Sequence, residues 1–467
     1  MNKGAEKPVT FLRISFLNPV TMEKVKRLTT MESEILMTAT RRMGRETFIP
    51  CDRFGRMRFA MKNSKANGQF LFAQKYIKLW QAVVFVYVTC ISFSVNKPLA
   101  GNGPIIPGAY RMDKYLDSLI GKNVAVVANP TSMVKQSHLV DTLLSKGVVV
   151  TKIFAPEHGF RGDGDAGEHI NSGIDEKTGI SVVSLYGNHK KPTPSDLKEV
   201  KAVVFDIQDV GVRFYTYLST LHYVMEACAE NNLPLILLDR PNPNGHYVDG
   251  PILQPEFKSF IGLHPVPIVY GMTIGEYATM INGEGWLNGG IKCNLTVVPI
   301  LNYSHKSTYS LPVPPSPNLR SDLAIALYPS LCLFEATTVS VGRGTSRPFE
   351  MYGHPRFPKE GFEFTPTMQP GSKYPPHLNK VCPGVDLSLS TKPRMYELNL
   401  FYLTHARDIL ADSAVFINQN SFFNRLAGTA QLKEQLYKGW GPKEIRTSWA
   451  PGLESFQKIR AKYLIYR

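Results

Sequence analysis

"AVVFDIQDVGVRFYTYLSTLHYVMEACAENNLPLILLDR", Ala202 to Arg240, holds a strand, a long helix and a second strand in succession. Its ends, AVVFDIQ and PLILLDR, are unbroken apolar runs, which suit strands covered on both faces rather than strands with one wet side. Between them, YLSTLHYVMEACAENN reads as the helix that carries the chain from one strand to the next. Buried strands alternating with helices make a parallel α/β sheet.

Outward from this unit the pattern repeats. Upstream, NVAVVAN from Asn123, VVVTKIFAP and ISVVSLYG read as strands, with HLVDTLLSKG as a helix closed by Gly147. Downstream, a helix is expected from Thr273 and a strand at CNLTVVPI. The expected fold is a doubly wound parallel sheet over residues 101–305. A proline-rich run, PVPPSPNLRS from Pro312 to Ser321, leads to a helix started by Ser321 and Asp322. Residues 306–467 are expected to form a smaller mixed α/β domain, with a strand at GVDLSLS and helices around FYLTHARDIL and GLESFQKIRAKYL.

The formal net charge of +15 suggests a polyanion partner until it is divided along the chain. Residues 1–100 hold 17 Lys and Arg against 6 Asp and Glu, leaving the other 367 residues with only +4. No nucleic-acid surface is expected on the folded part. Residues 1–60 show no sustained periodicity. Met61 opens a basic stretch followed by an apolar run from Leu79 to Val95, the grammar of a signal peptide and shorter than a spanning helix needs. The expectation is a basic leader over 1–100 with an export segment at 61–100, translation starting at Met61, and an exported, periplasmic product without a stable membrane span after cleavage. Six scattered cysteines form no CxxC pair and read as mostly buried thiols.

Sheets of this kind place their sites beyond the carboxyl ends of the strands. Three strands end on acids: Glu157 after Phe154, Asp206 and Asp209 after Phe205, and Asp239 after Leu238. Each end also carries an arginine, Arg161, Arg213 and Arg240. Tyr215 and Tyr217 offer aromatic faces beside these carboxylates, and Asn242 lies on a proline-stiffened loop that fixes polar groups in place. No GxxxxGK[ST] or GxGxxG follows any strand, so no nucleotide cofactor is expected, and there is no GxSxG elbow. Imidazole and carboxylate could hold a metal at Glu157, His158, His169 and Asp206, yet no HExxH or HxxEH spacing supports it, and no metal is expected.

At NPTS (from Asn129), PEHGFRG (from Pro156), DIQDVGVRFYTY (from Asp206), DRPNPNG (from Asp239) and PPSPNLRS (from Pro314) the chain resembles the exo-β-N-acetylmuramidase family of glycoside hydrolases. The resemblance runs from about Met112 to Arg467. It implies a Rossmann-like catalytic domain, a smaller C-terminal domain walling the cleft, and release of N-acetylmuramic acid from the non-reducing end of peptidoglycan fragments. It also places the family's favoured catalytic glutamate at Glu157, with His158 orienting it or shuttling protons. Substrate contacts are then expected from Asn129, Arg161, Glu168, Asp206, Asp209, Arg213, Tyr215, Tyr217, Asp239, Arg240, Asn242 and Asn318. The arginines answer a particular demand, because muramic acid bears a lactyl carboxylate that N-acetylglucosamine lacks, and an Arg fork suits it. Two rival readings stay open: a non-catalytic muropeptide-binding protein and a metal-dependent cell-wall hydrolase.

Overall fold

The computed structural model describes residues 103–161, 172–388, 394–410 and 416–466. The expectations placed on the leader, on Met61 and the export segment, on Cys51 and Cys90, and on Glu168 and His169 lie outside the described residues. The strands are β1 (Asn123–Ala128), β2 (Met133–Val134), β3 (Ser137–His138), β4 (Val149–Ala155), β5 (Gly173–Ile174), β6 (Ser181–Ser184), β7 (Ala202–Asp206), β8 (Pro234–Leu238), β9 (Asn294–Val298), β10 (Met351–Gly353), β11 (Glu363–Phe364) and β12 (Cys382–Asp386). The α-helices are α1 (Leu139–Ser145), α2 (Tyr217–Glu230), α3 (Ile274–Gly283), α4 (Asp322–Leu331), α5 (Phe401–Leu410), α6 (Asn420–Ala427), α7 (Gln431–Tyr437) and α8 (Pro442–Arg460).

The main sheet runs β5-β6-β4-β1-β7-β8-β9, parallel throughout except for β5 at the edge. From β6 to β9 this is the Rossmann order, in which the chain builds outward from β1 on one side and then returns to build on the other. The apolar runs behave as burial on two faces requires. β7 is buried at every position, and β1 at all but its first residue. Helix starts follow their caps. Thr273 accepts from Glu276 N in a capping box before α3, and Ser321 accepts from Ala324 N before α4.

The C-terminal part adds a small antiparallel sheet, β10-β12-β11, and helices α5 to α8. One apolar cluster continues from Phe205 and Leu237 of the main sheet through Leu331, Phe334 and Tyr352 to Trp449 and Phe456 of α8. The proline-rich connection therefore crosses a continuous core. Cys228, Cys293, Cys332 and Cys382 are buried free thiols. Among the described residues no helix is long and apolar enough to cross a membrane.

Candidate active site

Register decides which side chains meet at the carboxyl edge. Ala128 of β1 pairs with Asp206 of β7, and Ala155 of β4 pairs with Ser184 of β6. Two residues beyond that second pair come Glu157 and Tyr186. Leu185 N donates to Ala155 O at 2.7 Å, so the pairing runs past the strand ends. Glu157 and Tyr186 are thus neighbours by construction.

Glu157 sits in a tight turn, Pro156 to Gly159, closed by Gly159 N to Pro156 O at 3.0 Å. The third residue, His158, has φ 71, and Gly159 has φ 78. A positive φ at that place is usually left to glycine or asparagine, because a β-carbon there costs about 1 kcal/mol or more. The buried His158 occupies it nonetheless, and such departures cluster at functional sites. The turn lifts Glu157 off the strand end toward α2. There the Thr216 hydroxyl, at the helix N-cap, donates to Glu157 Oε2 at 2.7 Å. The Tyr186 phenol is hydrogen-bonded to the same carboxyl group; burial first, and then the Glu157 charge, raise its pKa well above the ordinary value. Tyr186 therefore keeps its proton and remains a donor.

The other acids are sealed. Asp206 is 0% exposed and accepts a fork from Arg240, Nε to Oδ1 at 2.6 Å and Nη2 to Oδ2 at 2.8 Å. Asp239, also 0% exposed, accepts from Thr273 Oγ1, Tyr466 Oη and Gly275 N, and burial raises its pKa to about 7. Asp209 accepts from Tyr270 Oη and Gly211 N; burial raises it to about 6, and its Oδ1 has no partner among the described residues. Gly211 has φ 82, and a β-carbon there would stand 2.2 Å from Asn242 Oδ1. Among these four strand-end acids only Glu157 is half-buried and so open to a solute.

The remaining expected contacts divide in the same way. Of the three arginines expected at a substrate carboxylate, Arg213 and Arg240 are buried and held by internal bonds, while the exposed Arg161 carries an ion pair of its own. Arg161 forks onto Asp175 at 2.7 and 2.8 Å. Arg240 holds Asp206 and Met133 O. Arg213 donates to four main-chain carbonyls, Pro251, Val266, Leu426 and Ala427. The last two end α6, where a cation is favoured by the exposed carbonyls, and burial lowers the Arg213 pKa to about 9. Tyr215 and Tyr217 are buried with hydroxyls on Pro315 O, at 2.7 and 3.4 Å. Asn242 donates to Met272 O and Asn318 to Gly371 O, both at 2.7 Å. Asn129 accepts from Thr131 through Oδ1; its buried Nδ2 lies by the Tyr217 phenol, yet makes no well-formed hydrogen bond among the described residues. Thr216 and Tyr186 escaped the sequence reading. ISVVSLYG signals a strand, and a residue just past the carboxyl end of such a strand is the available clue.

A sheet of this order, with Glu157 the one half-buried carboxyl group among its four described strand-end acids, has the parts of an acid–base enzyme. The family described as "Exo-beta-N-acetylmuramidase NamZ, N-terminal" matches residues 124–323, and its C-terminal counterpart matches 326–466. The chain is 39% identical over 380 residues to the peptidoglycan beta-N-acetylmuramidase NamZ of Bacillus subtilis (strain 168), covering 75% of this chain and 89% of that protein. Two crystal structures of DUF1343 family proteins from Bacteroides fragilis share its fold. One is 45% identical with TM-score 0.73 and the other 27% with 0.66, each covering 78% of this chain and 99% of its own. The chain belongs to the exo-β-N-acetylmuramidase family. The two matched regions meet at the first turn of α4.

Proposed function

We propose that this protein is an exo-acting glycoside hydrolase that releases N-acetylmuramic acid from the non-reducing end of peptidoglycan fragments. Family membership supports the reaction, and one observation supports its placement: Glu157 is the reachable acid among four, held by Thr216 and Tyr186. In this reading the Glu157 carboxyl group gives its proton to the glycosidic oxygen as the bond to the anomeric carbon breaks. Water then supplies the hydroxyl at that carbon and returns a proton to the site. Thr216 and Tyr186 fix the carboxyl group, and the His158 turn sets its height above the sheet. Asp206 and Asp239 act through structure, by locking the loops after β7 and β8.

The test is turnover of a chromogenic β-N-acetylmuraminide and of the natural muramyl disaccharide, with and without chelator. Release of free N-acetylmuramic acid insensitive to chelator supports the reading. Binding without release would make the protein a muropeptide binder, and loss of activity with chelator would favour the metal hydrolase. Export through residues 61–100 belongs to the same proposal, because peptidoglycan lies outside the cytoplasm. Sequencing the mature N-terminus tests it; soluble cytoplasmic protein with Met1 intact would overturn it.

A further inference from the structure

With Arg213 and Arg240 buried in internal bonds and the exposed Arg161 forked onto Asp175, the loop after β6 supplies a further cation for the lactyl carboxylate. It reads Tyr186-Gly-Asn-His-Lys-Lys191. Two of its basic side chains are pinned by acids. His189 Nε2 lies 3.0 Å from Asp196 Oδ2, close enough for an ion pair though off the hydrogen-bond line. Lys191 Nζ lies 2.6 Å from Glu226 Oε1 and 2.7 Å from Glu230 Oε1. Lys190, between them, has no acid within ion-pair distance among the described residues. Its ammonium lies over the Phe260 ring, 4.8 Å from the centroid. Phe260 stacks on Tyr223 of α2 and meets Tyr186 edge-on, each at 6.3 Å. Tyr186 in turn is bonded to Glu157. The ammonium of the half-buried Lys190 is therefore held on an aromatic platform that adjoins the reachable carboxyl group.

We propose that Lys190 reads the lactyl carboxylate of N-acetylmuramic acid and so sets the preference for muraminides over glucosaminides. The inference rests on the substrate class of the proposed function. Its chemistry is that of a compact ammonium with no acid in ion-pair distance among the described residues, seated where an apolar ring face lowers the water around it. Phe260 and Tyr223 add the apolar surface that a sugar ring uses. Lys258, an exposed lysine of the Phe260 loop that lines a cavity of about 410 Å³ with His222, His264 and Trp286, is the internal control.

The experiment measures the affinity of the full chain for free N-acetylmuramic acid and for N-acetylglucosamine, alongside turnover of the matching glycosides. Wild type should prefer the acidic sugar. Lys190→Gln should lower that preference by roughly ten-fold to a hundred-fold, the range of one lost charge-assisted hydrogen bond. Lys190→Arg should restore much of it, Lys258→Gln should leave it intact, and all three variants should melt with wild type. A wild-type preference that survives Lys190→Gln, or a wild type without preference, overturns the assignment. Loss of the binding preference in a protein that turns over neither glycoside would uphold the reader and overturn the glycosidase reading instead.

Discussion

Replacing Arg240 by Met separates a structural arginine from a substrate-reading one. The side chain is 3% exposed, its fork spans both oxygens of an Asp206 that is 0% exposed, and Nη2 also donates to Met133 O at 3.0 Å. Removing the cation leaves a buried carboxylate without its counter-charge, which costs about 3 to 5 kcal/mol. The orphaned Met133 carbonyl adds about 1 kcal/mol. Since domains of this kind hold only about 5 to 15 kcal/mol in total, Arg240→Met should lie near the edge of folding at room temperature. Urea unfolding followed by circular dichroism gives the loss directly. Arg240→Lys keeps the charge without the fork and should fall between. A double variant with Asp206→Leu should recover much of the stability, since an apolar pair of similar volume is often tolerated where an ion pair stood. An Arg240→Met protein within about 1 kcal/mol of wild type, with its sugar preference gone, would refute the structural reading.

His158→Asn keeps a residue that tolerates the left-handed turn, so the fold should survive, while turnover should drop about ten-fold or more if the imidazole orients Glu157 or moves its proton; melting curves beside initial rates decide it, and unchanged rates would make His158 a turn residue only. Stability should rise on acidification from neutral pH toward pH 5. Asp209 and Asp239 hold protons up to pH about 6 and about 7 in the fold, against roughly 3.9 in the unfolded chain, so their contribution is complete near pH 4 and lost as pH rises through those values. Asp175, held near 2 first by its hydrogen bond from Arg161, works the other way: its contribution is present above roughly pH 4 and lost as pH falls toward 2. Urea midpoints measured across pH 4 to 8 test the first trend, and Asp209→Asn should flatten its lower half.

The sheet was legible because burial on both faces writes itself as unbroken apolar runs, seen in NVAVVA, AVVFD and PLILL. Helix starts at Thr273 and Ser321 were legible because their capping bonds are local. Glu157 was legible as an acid at a strand end, but only the family resemblance at PEHGFRG ranked it above Asp206, Asp209 and Asp239, since what distinguishes them physically is long-range. Asp206 meets Arg240 across 34 residues, and Arg213 reaches Leu426 across 213. An acid and an arginine near each other in sequence suggested a substrate clamp, and three-dimensional pairing turned Asp206, Arg240 and Arg213 into internal struts. Lys190 carried no signal beside Lys191, because only the acids on α2 tell the two apart.

The central claim is that Glu157 delivers a proton to the leaving oxygen, and Glu157→Gln tests it most directly. Glutamine can still accept from Thr216 at the oxygen that now receives its 2.7 Å bond, but it has no proton to give. Turnover of the natural disaccharide should fall roughly 100-fold or more, with melting temperature and affinity for N-acetylmuramic acid little changed. Glycosides with an acidic phenol as leaving group need less protonation and should lose less. Near-normal turnover of the disaccharide by Glu157→Gln would contradict the account.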